Sequence, residues 1–133
     1  MSSMKKSRRI GAVALWVKDL ELSANFYRDI VGIPLEYSDP HDPENVPHYE
    51  TMWGEWDDHG PVEPYLWLNL YTGLGRQTSG AHLSIRVPNL SKAHALATER
   101  GVKVVVAPVA SPFGGSRAVF EDPDGNFVEL SDG

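Results

Sequence analysis

The sequence predicts an α+β fold in which two βαβββ modules form a curled mixed sheet shaped like a cup. The main observation is an internal repeat, because Val17–Leu20 (VKDL) matches Val87–Leu90 (VPNL) at an offset of 70 residues. Gly32–Ile33 and Gly101–Val102 match at an offset of 69, which is within one gap. Each repeat also ends in a long strand after a turn that contains Gly and Asp. The shared order and spacing indicate two copies of one structural unit.

The first module is expected over about residues 10–73. Alternating apolar residues predict a strand over Ile10–Val17, and Asp19 is a typical N-cap for the helix that follows. Apolar residues then recur at helical spacing until Gly32, a residue type that commonly ends helices. Three further strands are predicted, at Ile33–Tyr37, Val46–Trp53 and Tyr65–Tyr71.

The second module, over about residues 80–131, repeats this order. A strand over Ala81–Val87 leads to Asn89, which is the second predicted N-cap, and the helix is expected to end at Gly101. The next strand, Val102–Val109, is interrupted by a proline near its end. The whole chain is therefore predicted to contain one domain, over residues 10–133, behind a flexible N-terminal tail of residues 1–9.

The turn Asp122–Asn126 (DPDGN) predicts a final hairpin, with strands over Ser116–Phe120 and Phe127–Leu130. Glu129 lies within the second of these strands, among apolar residues. Carboxylates are rarely found in such a position without a partner. We therefore expect Glu129 to have a partner, for which Arg86 is a candidate. Alternatively, Arg86 binds an anionic group of a substrate.

Composition narrows the class of protein. The chain is 41% hydrophobic and 23% charged, as ordinary globular proteins are, and it contains no cysteine. Disulfides and thiolate catalysis are thereby excluded. No apolar run approaches the roughly 20 residues that span a bilayer, and no signal peptide is apparent, so a cytoplasmic protein without a membrane partner is expected. The net charge of −6 argues against nucleic acid as a partner.

Strand alternation predicts which side chains line the cup. In each module the aliphatic residues of the first and last strands should cover the helix, which leaves the other face to aromatic and polar residues. Such a lining, apolar with a few polar groups, is typical of a ligand pocket. The predicted ligand-binding residues are Trp16, Trp67, Asn69, Ser84, Arg86 and Phe127. The same pattern would also fit an aromatic core or a dimer interface.

Two motifs together resemble the vicinal oxygen chelate superfamily, which includes glyoxalase I, bleomycin- and fosfomycin-resistance proteins, and extradiol dioxygenases. They are Val17–Leu20, followed by Ser23, Phe26–Tyr27 and Gly32, and the distal Phe120–Glu129 (FEDPDGNFVE). The resemblance covers about residues 10–131. It implies two βαβββ modules that curl into a cup, usually completed by formation of a homodimer, and one divalent metal in the cup, such as Fe, Mn, Ni or Zn.

The resemblance also implies the metal ligands, position by position. His82 and Glu129 stand where the family places a histidine and a carboxylate ligand, and Glu129 is also the candidate catalytic residue. The matching position of the first module is Ala12, where metal-binding members usually have His, Gln or Glu. Two ligands are fewer than the three that a catalytic metal generally takes. The metal is therefore expected to be absent or weakly bound, unless Asn69, His48 or Glu50 completes the set.

Three functions follow from these observations. The first is a small-molecule-binding protein of the glyoxalase, bleomycin-resistance and dioxygenase type with a degenerate metal site, which the loss of a ligand at Ala12 favours. The second is a divalent-metal-dependent lyase, isomerase or dioxygenase that uses His82 and Glu129. The third is a non-catalytic dimerisation module, which would have a filled cup.

Overall fold

The computed structural model describes residues 11–39, 46–51, 56–57, 60–61, 67–112 and 114–133. The first half contains β1 (Ala12–Trp16), helix α1 (Leu20–Asn25), a π-helical segment (Phe26–Val31), β2 (Leu35–Ser38), β3 (His48–Thr51), β4 (Trp56–Asp57), β5 (Gly60–Pro61) and β6 (Trp67–Tyr71). The second half contains β7 (His82–Arg86), helix α2 (Leu90–Glu99), β8 (Val104–Ala110), β9 (Ser116–Glu121) and β10 (Phe127–Ser131). The predicted tail, residues 1–9, lies outside the described residues.

The strands form two four-stranded mixed sheets, with the orders β1-β6-β3-β2 and β7-β10-β9-β8. In each sheet the first strand of the module pairs in parallel with the last, and the other neighbours pair antiparallel. A separate two-stranded hairpin of β4 and β5 is inserted in the first half. Both halves therefore have the predicted βαβββ order. The sheets are open, in agreement with a curled cup.

The first helix begins and ends where the sequence predicts but changes form along its length. The carboxylate of Asp19 accepts a hydrogen bond from the amide of Leu22 at 3.0 Å, as an N-cap does. Beyond Asn25 the chain forms a π-helical segment, in which each turn is wider than an α-helical turn. This segment buries four of its six residues, and it ends at Gly32, which has a φ of 89°. Apolar spacing over so few residues does not distinguish the two helix types.

The second helix follows the sequence prediction at both ends. The side-chain oxygen of Asn89 accepts a hydrogen bond from the amide of Lys92 at 3.0 Å. At the other end, Gly101 adopts a φ of 73°, a conformation that glycine takes without strain. In the part of the chain that the structure describes, no helix is long and apolar enough to cross a membrane.

One hydrophobic core joins the two modules. The helices of both halves lie against it, and the π-helical segment contacts α2 directly. The largest fully buried apolar side chains come from both modules, and they are Leu15, Tyr27, Ile33, Leu70, Leu90, Phe120 and Leu130. Burial of apolar surface is the main stabilising contribution to folding. Each module therefore depends on the other for part of the apolar burial that stabilises it.

The turn Asp122–Asn126, here called the anchoring turn, connects the second module to the helix of the first. The carboxylate of Asp122 accepts hydrogen bonds from the hydroxyl of Tyr27 at 2.5 Å and from the side-chain amide of Asn126 at 3.1 Å. It also accepts the backbone amides of Asp124 and Asn126, at 2.9 and 2.8 Å. Burial, followed by the nearby charge of Asp122, raises the pKa of Tyr27, so this hydroxyl stays protonated and donates.

Asp124 makes the second connection of the anchoring turn. Its carboxylate accepts the backbone amide of Lys18 at 2.9 Å and the hydroxyl of Ser23 at 3.2 Å, both in the first module. It also accepts the side-chain amide of Gln77 in the linker at 3.1 Å. The turn that the sequence predicts for a hairpin is therefore also a contact between the modules.

Side chains complete the pairing of β3 with β6. In the described register of this pair, His48 and Tyr49 lie opposite Tyr71 and Leu70. Beyond these residues, side-chain hydrogen bonds take the place of backbone hydrogen bonds between the strands. The hydroxyl of Thr51 donates to the carbonyl of Leu68 and accepts from its amide, the latter at 2.9 Å. Asn69 contributes its side-chain oxygen, which accepts the amide of Thr51 at 3.2 Å.

Candidate functional site

Glu129 lies on β10, between β7 and β9, and each neighbouring strand supplies one partner. Its Oε1 accepts the hydroxyl of Ser84 at 3.0 Å, and Ser84 is its register partner on β7. Its Oε2 accepts the Nε–H of Arg117 on β9 at 2.7 Å. Arg117 pairs in register with Ser131, so it reaches Glu129 diagonally across the antiparallel pair. The cationic partner of Glu129 is therefore Arg117, and not Arg86 as the sequence predicts, because Arg117 reaches it across the β9–β10 hairpin.

Electrostatics keep Glu129 ionised. The hydrogen bond from Arg117 is the largest influence and holds the pKa of Glu129 below its ordinary value, and the hydrogen bond from Ser84 acts in the same direction. The nearby His82 lowers it further through its charge. Partial burial opposes this shift, but the side chain keeps 23% of its exposure. The carboxylate is thus an anion at neutral pH, and both of its oxygens are engaged.

A cavity of about 440 Å³ opens beside this ion pair. Its size lies within the range of about 300–1,000 Å³ that small-molecule sites commonly have. Its wall is made by β7, β9 and β10 together with the segment between β8 and β9. The described lining residues are Ser84, Arg86, Ser111, Pro112, Gly114, Arg117, Glu129, Ser131 and Gly133. The lining is mixed, because hydroxyl, guanidinium and carboxylate groups share it with apolar surface of similar extent.

Of the residues predicted from strand alternation, Ser84, Arg86 and Glu129 meet at this cavity. Arg86 is exposed at the end of β7, opposite Ser131, and within the described residues it forms no ion pair or hydrogen bond. His82 is exposed on the same face of β7, two residues before Ser84, but does not line the cavity.

Phe127 is the register partner of His82 and is 40% exposed. It lies on the same strand face as Glu129 but outside the described lining of the cavity. This half-exposed ring leaves apolar surface at the start of β10.

The first sheet presents an aromatic face instead. Trp16 stacks on Tyr71 with the ring centroids 5.2 Å apart, and His48 stacks on the same tyrosine at 4.6 Å. The guanidinium of Arg76 lies 5.2 Å from the centre of the Trp16 ring, in a cation–π contact. These residues share a face because Trp16 and Tyr71 are register partners in the parallel pair of β1 and β6.

The remaining predicted residues of the first sheet lie on that same face. Trp67 is the register partner of Ala12, and Asn69 is the partner of Ala14. Trp67 and Asn69 are half-buried, whereas the leucines that alternate with them are buried. Asn69 also has a structural role, because its oxygen bonds the backbone of β3. The structure thus distributes the predicted residues over two surfaces, one aromatic and one polar.

The donor atoms on these surfaces are few and dispersed among the described residues. Within the described ranges, no group of three His, Asp or Glu side chains is close enough to hold a metal ion. Ala12 offers no donor, and its neighbour across the parallel pair is Trp67. The oxygens of Glu129 are occupied, one of them by a cation that would repel a second. His48 is 3.8 Å from Glu50, and its Nδ1 donates to a backbone carbonyl at 2.8 Å.

The position of Arg117 beside Glu129 can be predicted from the sequence, but alternation within single strands does not reveal it. Once the anchoring turn is taken as the centre of a hairpin, Arg117 falls opposite Ser131 and on the face of Glu129. A diagonal pair of this kind lies within reach of two long side chains. For Ser111 and Ser131, which also line the cavity, no motif marks the position.

With this geometry in view, comparison with known proteins identifies the family. A model of the glyoxalase/bleomycin resistance protein/dioxygenase superfamily matches residues 9–130. The match covers most of the chain, so the protein belongs to this superfamily. No curated protein matches the sequence.

Solved structures show the same fold. A superfamily member from Sphaerobacter thermophilus has a TM-score of 0.67 and 22% identity, over 96% of this chain and 98% of that one. TnmS3, an antibiotic-binding protein from a Streptomyces species, has a TM-score of 0.66 and 23% identity, over 96% and 97%. Glyoxalase I from Leishmania major has a TM-score of 0.61 and 24% identity, over 95% and 87%. At these identities the similarity demonstrates the fold alone.

Proposed function

We propose that this protein binds a small organic molecule in its cup and does so without a catalytic metal. The observation that carries the proposal is the arrangement at Glu129. The residue in the carboxylate-ligand position is held by Ser84 and Arg117, at 3.0 and 2.7 Å, beside an open cavity of about 440 Å³. A carboxylate so engaged lines a binding site but is poorly placed to hold a metal.

The chemistry of the donor set supports the metal-free proposal. A divalent ion at Glu129 would bind a carboxylate that already pairs with Arg117, and the two cations would repel each other. His82 is the one further donor near Glu129 that the family pattern supplies, and Ala12 supplies none. Three protein ligands are the usual minimum for a catalytic zinc-type centre. The alternative function is a metal-dependent lyase, isomerase or dioxygenase, and the first experiment distinguishes it from the metal-free proposal.

The relatives support a binding function as well. TnmS3 is described as an antibiotic-binding protein, and it shares the fold over nearly the full length of both chains. The open cavity also favours a ligand over a purely structural dimerisation module, whose cup would be filled by its own side chains. A metabolite or an antibiotic would fit a cavity of this size.

The first experiment measures metal content. Protein purified without chelator is expected to contain no stoichiometric Fe, Mn, Ni or Zn, and adding these ions should leave the melting temperature unchanged. True binding would raise that temperature by mass action. Stoichiometric metal in the parent that disappears in a His82→Ala variant would overturn the metal-free proposal and favour the enzyme.

The second experiment measures ligand binding. Chelator-treated protein is screened by thermal shift against a library of small organic compounds that includes antibiotics. At least one chemical class should raise the melting temperature with the chelator present. If no compound does so, the binding proposal fails.

We also propose that the working form is a homodimer. The aromatic face, with Trp16 and Tyr71, and the polar cavity at Glu129 have no described lining residue in common. A second copy could place the aromatic face of one chain over the polar cavity of the other, and both would then contribute to one site. Light scattering after size-exclusion chromatography should give twice the 14.7 kDa chain mass. A monomer at high protein concentration would contradict this.

A further inference from the structure

We propose that the molecule bound at the cavity beside Glu129 carries a compact anionic group, of the carboxylate or phosphate type, and that the guanidinium of Arg86 binds this group. This inference rests on the proposed function, because it names the ligand class of the same cavity. Its basis is the division of charge in the cavity wall.

Two guanidinium groups line the cavity, and only one of them is neutralised. Arg117 donates to Glu129 at 2.7 Å and forms the ion pair. The guanidinium of Arg86 lines the same cavity, yet within the described residues this side chain forms no ion pair or hydrogen bond. Because the partner of Glu129 is Arg117, the carboxylate that could have paired with Arg86 is already engaged.

The unpaired side-chain charge of the described wall therefore differs in sign from the charge of the chain. The charged side chains of that wall are Arg86, Arg117 and Glu129, and of these Arg86 is the one without an oppositely charged partner. The whole chain carries a formal charge of −6. A concave positive site on an acidic protein concentrates small anions locally and does not attract nucleic acid, whose charge the rest of the surface repels.

Binding itself adds a second argument. A ligand that fills the cavity removes water from Arg86, and a desolvated charge without a partner is costly. A neutral ligand would leave this cost uncompensated. A carboxylate or phosphate offers the guanidinium two parallel charge-assisted hydrogen bonds instead.

The hydroxyl groups of the cavity suit the same ligand. Ser131 is the register partner of Arg86, and Ser84 lies two residues before Arg86 on the same strand face. Both line the cavity, as does Ser111 on the opposite segment. The hydroxyl of Ser131 can donate to an anionic oxygen, whereas the hydroxyl of Ser84 already donates to Glu129 at 3.0 Å and can only accept from a ligand hydroxyl.

The test uses pairs of probes in which an anionic compound is compared with a neutral compound that carries the same ring. Benzoate is compared with benzamide, and phenyl phosphate with phenol, by calorimetry and thermal shift on the full chain with chelator present. Each anion is expected to bind more tightly than its neutral partner, by about 10-fold or more, as a charge-assisted hydrogen bond predicts. The ratio between the two anions distinguishes the carboxylate from the phosphate.

Variants locate the effect. Arg86→Gln should remove the preference for the anions, whereas Arg100→Gln, an exposed arginine outside this cavity that pairs with Asp29 at 2.9 Å, should retain it. Glu129→Gln should strengthen anion binding by about threefold to tenfold, because it removes the one negative side chain of the wall. Arg86 is exposed, so its replacement is expected to leave the melting temperature of the free protein within about 2 °C.

Each outcome of these measurements either supports or contradicts the inference that Arg86 binds an anionic group. If anions and neutral partners bind equally, or if Arg86→Gln binds the anions as the parent does, the inference is wrong. The same holds if none of the anions binds. The proposed function would survive those results provided that neutral compounds in the library stabilise the chelator-treated protein. If nothing stabilises that protein, the proposed function fails first.

Discussion

At the scale of single residues, the ion pair of Arg117 and Glu129 sets the properties of the cavity. It engages Oε2 of Glu129, while the hydroxyl of Ser84 engages Oε1. Among the described residues of the wall, it leaves the guanidinium of Arg86 as the cation without an ion-pair partner. One diagonal contact in a hairpin thus bears on two questions, whether the site binds a metal and what charge its ligand carries.

Replacing Arg117 with Met should test this contact directly. The pKa of Glu129 is now held below its ordinary value by Arg117, so it should rise towards that ordinary value in the variant. Because the folded-state pKa is lowered, the ion pair stabilises the fold above the unfolded-state pKa, and the contribution is lost as pH falls through the folded-state pKa. The stability difference between parent and variant should therefore vanish in acid.

The measurements are a carbon-13 NMR titration of the Glu129 carboxyl and urea unfolding at several pH values. The pair is partly exposed, so the neutral-pH difference should be no more than about 1 kcal/mol. An unchanged Glu129 pKa in Arg117→Met would show that the contact is not the main cause of the shift. Arg100→Met is the control, since Arg100 bonds Asp29 instead.

A second prediction at this scale concerns Thr51. Its hydroxyl bonds both the amide and the carbonyl of Leu68, and the residue is fully buried. Thr51→Val keeps the shape of the side chain but leaves both groups without a partner, so the free energy of unfolding should fall by about 2–3 kcal/mol. Thr51→Ser keeps the hydroxyl and should cost about 1 kcal/mol. Equal losses in urea unfolding would contradict the proposed bridging role.

At the scale of elements, the anchoring turn connects residues that lie far apart in the sequence. The hydroxyl of Tyr27 contacts Asp122 at 2.5 Å although 95 residues separate them. Asp124 adds bonds to Lys18 and Ser23. A turn in the second module therefore positions the helix of the first, and with it the strand β1 that carries Trp16.

Tyr27→Phe removes one donor from a buried carboxylate, and the free energy of unfolding should fall by about 1.5–3 kcal/mol. Tyr49→Phe makes the same chemical change where the hydroxyl bonds an exposed carboxylate, that of Glu21, at 2.8 Å. That variant should lose less, about 0.5–1 kcal/mol. Urea unfolding of both variants provides the comparison. If Tyr49→Phe lowers the free energy of unfolding as much as Tyr27→Phe does, the bond from Tyr27 to the anchoring turn contributes no more than the more exposed bond of Tyr49.

The order of the elements could be predicted from the sequence because local signals mark it. The N-caps Asp19 and Asn89, and the helix ends at Gly32 and Gly101, all lie where their residue types predict. Each of these signals depends only on residues a few positions away in the chain, so it can be recognised in a single sequence.

Other features depend on which segments meet in space. The contact of Tyr27 with Asp122 joins residues from different modules, and no local pattern specifies it. The bridging of Leu68 by Thr51 likewise requires knowledge of where β3 leaves β6. Arg117 is the intermediate case, because the hairpin register places it beside Glu129 once the turn is accepted.

At the scale of the whole molecule, the two modules share one core and are joined by the anchoring turn. We therefore expect the chain to unfold in one cooperative transition. In calorimetry of the full 133-residue chain, the calorimetric and van't Hoff enthalpies should agree. Two resolved transitions would show that the modules are independent. Tyr27→Phe should lower the transition temperature without splitting it.

The anchoring turn also bears on how such a repeat can evolve. Two identical halves could in principle be exchanged or separated, because each would carry the same contacts. Here the carboxylates of Asp122 and Asp124 serve the opposite half, through Tyr27 and Ser23. Within the described residues, the second half supplies the carboxylates of this joint and the first half supplies the hydroxyls. Substitutions at the joint must be compensated across the repeat, whereas the two exposed sheet faces remain free to diverge separately towards different ligands.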